Sequence, residues 1–284
     1  MHKTHPVWAT RRGLTLLGSF ALVAVALVFA SSAPASAVPG PSRCGFTTLL
    51  TLRGSDEAAG TGSSNGGRTY ASGGWGATLG ELVGYANREP SVPIYTEAIA
   101  YPAVIVNWAN PVDQNYVNSV NAGMANLRNE IEDLAARCPS TNIVLAGYSQ
   151  GAHVITRVLS SAAAAAYPTT PLSANARAHI KAVVLFGSPA FTPNEPYNWS
   201  GSGGGRGLLA DPAGSLTPYR ALTWLAPAYS AKGYMPIVRS YCLPGDMFCQ
   251  GNANGLAIHG SYKSNSAVMR DAWLFNYNWL VSND

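Results

Sequence analysis

Asn142-Ile143-Val144-Leu145-Ala146-Gly147-Tyr148-Ser149-Gln150-Gly151-Ala152-His153 reads as an apolar strand, a serine flanked by glycines, and the first turn of a helix. Gly147 and Gly151 leave room for a sharp strand-to-helix turn that lifts the Ser149 hydroxyl off the end of a sheet. The helix that follows aims its free backbone N–H groups at the same spot, where an oxyanion could form. Val154, Ile155, Val158 and Leu159 continue at helical spacing into the alanines that end at Ala166.

The bare pattern G-x-S-x-G also occurs at Gly62-Ser63-Ser64-Asn65-Gly66, where a Gly/Ser/Asn stretch with no apolar run on either side reads as a loop. Only Ser149 has a strand before it and a helix after it. A serine nucleophile needs a base, and the base an orienting carboxylate. Of the five histidines, His2 and His5 fall in a segment expected to be cleaved. His153 sits one turn beyond Ser149 on the elbow helix, which suits a packing or helix-surface role, and His179 reads as a loop residue before the apolar run Ala182 to Phe186. His259, in the Gly/Asn-rich stretch from Asn252 to Tyr262, is free to reach back over the sheet and is the candidate base. Asp246 is the only carboxylate between Cys242 and Cys249. If those cysteines pair, the small ring holds it still, although a turn residue after Pro244-Gly245 is an equally good reading of it alone. The order Ser149, Asp246, His259 is that expected on an α/β-hydrolase-type sheet.

Working outward, candidate parallel strands are Phe46 to Leu52, Pro93 to Ala100, Asn142 to Ala146, Ala182 to Phe186 and Pro236 to Tyr241. Val117, Val120, Met124, Leu127, Ile131 and Leu134 step by three and four along a helix that Cys138-Pro139 stops. The alternation predicts an α/β fold: a central five-stranded parallel sheet covered on both faces, in one domain over 38–284.

Residues 1–37 hold no acidic residue, place Lys3, Arg11 and Arg12 before an apolar stretch from Leu14 to Ala30, and end in Ala35-Ser36-Ala37. This predicts a signal peptide cleaved after Ala37, with Sec and twin-arginine export both open. Its loss would lower the formal net charge from +4 to about +1. Nothing in that balance suggests nucleic acid. Charged residues make up 11% of the chain, against about 25% in an average soluble domain, which suits an uncharged or lipid-like substrate. Four cysteines in an exported chain imply two disulfides by one of three pairings, and their spacing matches no zinc site. No metal or cofactor is expected.

Four stretches together resemble the cutinase family, the serine esterases that include cutinases, acetylxylan esterases and bacterial cutinase-like proteins. They are Arg53-Gly54-Ser55-Asp56-Glu57, Tyr101-Pro102-Ala103, Gly147 to Gly151, and Cys242 through Cys249 followed by His259. The resemblance implies a three-layer α/β-hydrolase-like fold and a triad of Ser149, Asp246 and His259. It also implies an oxyanion hole from the N–H groups of Ser55 and Gln150, and disulfides Cys44–Cys138 and Cys242–Cys249. From Asn194 to Ser230 the family pattern is lost, in a stretch expected to shape substrate access. The implied activity is hydrolysis of carboxylic esters by an extracellular monomer, with cell-wall association open. An acetylxylan esterase is the alternative, and a non-catalytic lipid- or polysaccharide-binding relative is the reading from a different class.

Overall fold

β1 (Thr47–Leu52), β3 (Ile94–Ile99), β4 (Asn142–Tyr148), β5 (Ile180–Phe186) and β8 (Val238–Tyr241) are the five parallel strands of the central sheet. β2 (Thr69–Tyr70) adds a sixth, antiparallel to β3 at one edge, so that the order is β2-β3-β1-β4-β5-β8. The sheet is therefore mixed and six-stranded rather than purely parallel and five-stranded. Two residues are too short a run for alternation to show in a sequence. β6 (Thr223–Trp224) and β7 (Tyr234–Met235) form a separate two-stranded ribbon. The computed structural model describes residues 42–63, 69–88, 93–107, 110–111, 113–160, 167–210, 216, 223–224 and 234–281. The expected signal peptide (1–37), Ser64, the alanines before Tyr167 and most of 211–233 lie outside the described residues.

Strand residues alternate between two cores, which is what a sheet covered on both faces requires. Leu50, Leu145, Val183 and Leu185 face a cluster with α2 (Gln114–Arg137), α3 (Gln150–Leu159) and α4 (Ala174–His179). Leu49, Val144, Ala146 and Val184 face the opposite cluster, with α1 (Gly76–Arg88) and α6 (Ser266–Val281). The short α5 (Leu256–His259) lies between β8 and α6 in the chain. The apolar stripe predicted around Val120 and Leu127 is the buried face of α2. Asp113 caps that helix by accepting the N–H groups of Asn115 (2.8 Å) and Tyr116 (3.0 Å), and Cys138 ends it.

The chain runs from β1 to β3 on one side and then crosses by α2 to β4 on the other side of β1. Such a reversal opens a crevice at the carboxyl ends of the strands, where α/β sheets bind ligands. The turns leaving β1 and β4 are Arg53–Ser55 and Ser149–Gln150, side by side because Leu52 pairs with Gly147. Disulfides join Cys44 to Cys138 and Cys242 to Cys249. Beside the first, Arg43 reaches the buried Glu130 and, at 2.9 Å, Asp133. Among the described residues no helix is long and apolar enough to cross a membrane.

Candidate active site

Ser149 is held at φ 53°, ψ −117°, a left-handed conformation that only a tight elbow imposes on a serine. Its N–H donates to Phe186 O of β5 (2.8 Å), and its carbonyl accepts the His153 N–H (3.0 Å), which starts α3. A Cβ on Gly151 would lie 2.0 Å from Leu52 O, so the helix can pass this close to β1 only as glycine.

Asp246 is fully buried and accepts four donors. Oδ1 takes the N–H groups of Phe248 (2.7 Å) and Cys249 (3.0 Å), and Oδ2 takes Tyr262 Oη–H (2.9 Å) and His259 Nδ1 (2.9 Å). The two backbone donors lie within the Cys242–Cys249 ring, so the ring turns the carboxylate as well as carrying it. With Nδ1–H given to Asp246, Nε2 presents its lone pair. That atom is buried and has no hydrogen-bond partner. The imidazole stacks on Tyr148 (centroids 5.0 Å, 24°) and abuts Phe248 (4.3 Å), and the backbone carbonyl of His259 accepts Tyr148 Oη–H (2.8 Å). The ring also leans on Gly187 (φ 58°), where a Cβ would come within 2.7 Å of Cε1. Gly187 directly follows Phe186, whose carbonyl binds the Ser149 N–H, so the ring packs against the strand end that also holds the elbow.

Ser55 lies in a loop tied at every side. Glu57 accepts the N–H groups of Gly54 (2.7 Å) and Ala77 (2.8 Å), the Asp56 N–H donates to Ala103 O (2.8 Å), and Arg53 donates to Tyr101 O (2.8 Å). Gln150 is fully buried, its amide fixed by Ser119 Oγ–H (2.8 Å) and by donation to Val104 O (2.9 Å). As the first residue of α3 it has no acceptor for its own N–H within the helix, and that donor faces the elbow.

The sequence reading passes over Tyr262 and Tyr148. Burial, and next the nearby Asp246, holds the Tyr262 phenol well above its ordinary range, so it stays protonated and donates. Burial raises Tyr148 likewise. The faint signal for Tyr262 is its place one helical turn after His259. His153 is fully buried between Tyr116 Oη (3.1 Å) and Arg157 Nε (3.0 Å), well away from the helix surface. His179 ends α4 rather than lying in a loop, with Nδ1 2.9 Å from Thr141 O.

A family model described as Cutinase matches residues 53–277. Cutinase 11 of Verticillium dahliae is 31% identical over 170 residues, which is 58% of this chain and 52% of that protein. Acetylxylan esterase 2 of Talaromyces purpureogenus is 30% identical over 200 residues, 69% of this chain and 77% of that protein. The match thus spans about half the length of the first relative and about three quarters of the second. Among solved structures, the catalytic core domain of acetyl xylan esterase from Trichoderma reesei superposes with a TM-score of 0.60 at 26% identity, covering 83% of this chain and 99% of that one.

Proposed function

The chain belongs to the cutinase family, and from that premise we infer that it is a serine carboxylic ester hydrolase working through an acyl-enzyme. Ser149 attacks the ester carbonyl while His259 Nε2 takes its proton, and Asp246 keeps the imidazole in the Nδ1–H tautomer. The N–H groups of Ser55 and Gln150 bind the tetrahedral oxyanion. His259 then protonates the leaving alkoxide, and a water activated by the same nitrogen releases the acid. The observation that carries the reading is the buried Asp246–His259 pair, whose Nε2 has no hydrogen-bond partner and whose ring packs against Gly187, next to the Phe186 carbonyl that holds the Ser149 N–H.

The same reading includes export of a single domain after removal of 1–37, and action as a monomer. The two disulfides and the charge-poor composition support an extracellular setting. A second reading, deacetylation of xylan, is favoured by the relatives named as acetylxylan esterases. Labelling the folded protein with a fluorophosphonate tests the catalytic assignment. One equivalent bound at Ser149 and lost in Ser149→Ala is expected, with Ser64→Ala unaffected. An inert Ser149 in folded protein would leave a lipid- or polysaccharide-binding relative as the better account.

A further inference from the structure

We propose that Ser119 of α2 is a positioning residue for the oxyanion hole, holding the Ser55 and Gln150 donors in register through the turn that follows β3. The inference rests on the esterase reading above and deepens it. Ser119 is buried, on a helix that supplies no triad residue and neither oxyanion donor. Its hydroxyl accepts the Val104 N–H (3.1 Å) and donates to Gln150 Oε1 (2.8 Å). Gln150 Nε2–H returns to the Val104 carbonyl (2.9 Å), which closes a ring of three hydrogen bonds. The Val104 N–H needs an acceptor and Gln150 Oε1 needs a donor, and a hydroxyl is both at once.

The ring fixes more than the glutamine. Ala103, directly before Val104, is held at φ 53°, and its carbonyl accepts the Asp56 N–H (2.8 Å). Asp56 directly follows Ser55 and itself stands at φ 61°. Left-handed backbone at an alanine and an aspartate persists where surrounding contacts impose it. The dipeptide Ala103-Val104 thus sets one carbonyl on each half of the oxyanion hole, the first on the Ser55 loop and the second on Gln150. Ser119 anchors that dipeptide by its Val104 N–H, from outside the hole. Oxyanion donors act by being preset, to within about 0.5 Å, at the place where charge develops. Without the Ser119 hydroxyl, the Val104 N–H and the buried Gln150 Oε1 each lose a partner, and the two halves lose their common anchor. A ground-state ester carbonyl carries little charge and loses little by this, whereas the tetrahedral oxyanion loses most. The effect therefore belongs in kcat rather than in KM.

The test measures kcat and KM for p-nitrophenyl butyrate, and Ki for an alkyl trifluoromethyl ketone. Ser149 Oγ would add to the ketone carbon, its proton passing to His259, and leave the ketone oxygen as an oxyanion in the hole. Ser119→Ala is expected to lower kcat at least about tenfold with KM within about threefold, and to raise Ki by the factor that kcat/KM loses. Thr48→Val deletes another buried hydroxyl, one that donates to Arg43 O (2.7 Å) at the opposite end of β1 from Leu52. It should leave kcat and Ki within about twofold. If Ser119→Ala does not fold, Ser119→Cys, whose thiol is a weak donor and a weak acceptor, takes its place in the same measurements. A folded Ser119 variant with wild-type kcat or wild-type Ki, a loss confined to KM, or an equal loss in Thr48→Val overturns the inference while leaving the esterase reading standing. Wild type that neither hydrolyses the ester nor binds the ketone sinks the esterase reading itself, and this inference with it.

Discussion

At the scale of single residues, the proposed chemistry hangs on a few atoms with separable roles. Ser149→Ala removes only the nucleophilic oxygen from a backbone turn set by its neighbours. It should lower kcat by at least about 10⁴ with an unchanged melting temperature, as steady-state kinetics and calorimetry would show. Tyr262→Phe is the sharper probe, because it keeps the buried ring and deletes one charge-assisted hydrogen bond to Asp246 Oδ2. Such a bond is worth about 1.5–3 kcal/mol. If Tyr262 positions the carboxylate, kcat should fall roughly ten- to a hundredfold while KM moves less than about threefold. A variant with wild-type kcat would show that the two backbone donors suffice. Asp246 and His259 could be picked out from sequence because a cysteine ring and a glycine-rich stretch mark them. Tyr262 and Tyr148 carry no such mark: a tyrosine that donates to a buried carboxylate is spelled like one that merely packs.

At the scale of elements, the two disulfides divide stability from positioning. In the chain-entropy model the bridge from Cys44 to Cys138, with a sequence separation of 94, constrains the unfolded chain by about 4–5 kcal/mol. The Cys242–Cys249 bridge, with a separation of 7, gives about 2.5 kcal/mol. At roughly 2–4 °C per kcal/mol, Cys44→Ser with Cys138→Ser should lower the Tm by about 10–20 °C. Cys242→Ser with Cys249→Ser should lower the Tm less but cut kcat more, because the ring's own N–H groups orient Asp246. Paired melts and kinetics decide it: full turnover without the small ring would make that bridge structural only. Elements of this length also explain what the sequence discloses. The five long strands and α2 carry enough apolar period to be read, whereas β2 and β6–β7, at two residues each, exist only because a neighbouring strand is there to pair with.

At the scale of the whole molecule, acid stability turns on a residue outside the proposed chemistry. His153 lies in the core between α2, α3 and Tyr167, and burial, followed by the adjacent Arg157, holds its pKa well below the ordinary imidazole value. Arg157 can only donate, so His153 Nε2 accepts, and the neutral ring gives its Nδ1–H to Tyr116 Oη. The folded chain therefore keeps His153 neutral where the unfolded chain begins to protonate it, below about pH 6.5. Between that value and the depressed folded pKa the unfolded state binds one proton more, so stability falls as pH falls, by up to about 1.4 kcal/mol per unit. The loss should begin above the range where carboxylates titrate. Urea unfolding between pH 7.5 and 5 would measure it. His153→Gln should be less stable throughout, because one amide replaces a ring bonded at both nitrogens, yet its stability should vary less with pH across that window. Parallel pH profiles for variant and wild type would mean that His153 protonates alike in both states, and that the Arg157 contact does not govern acid unfolding.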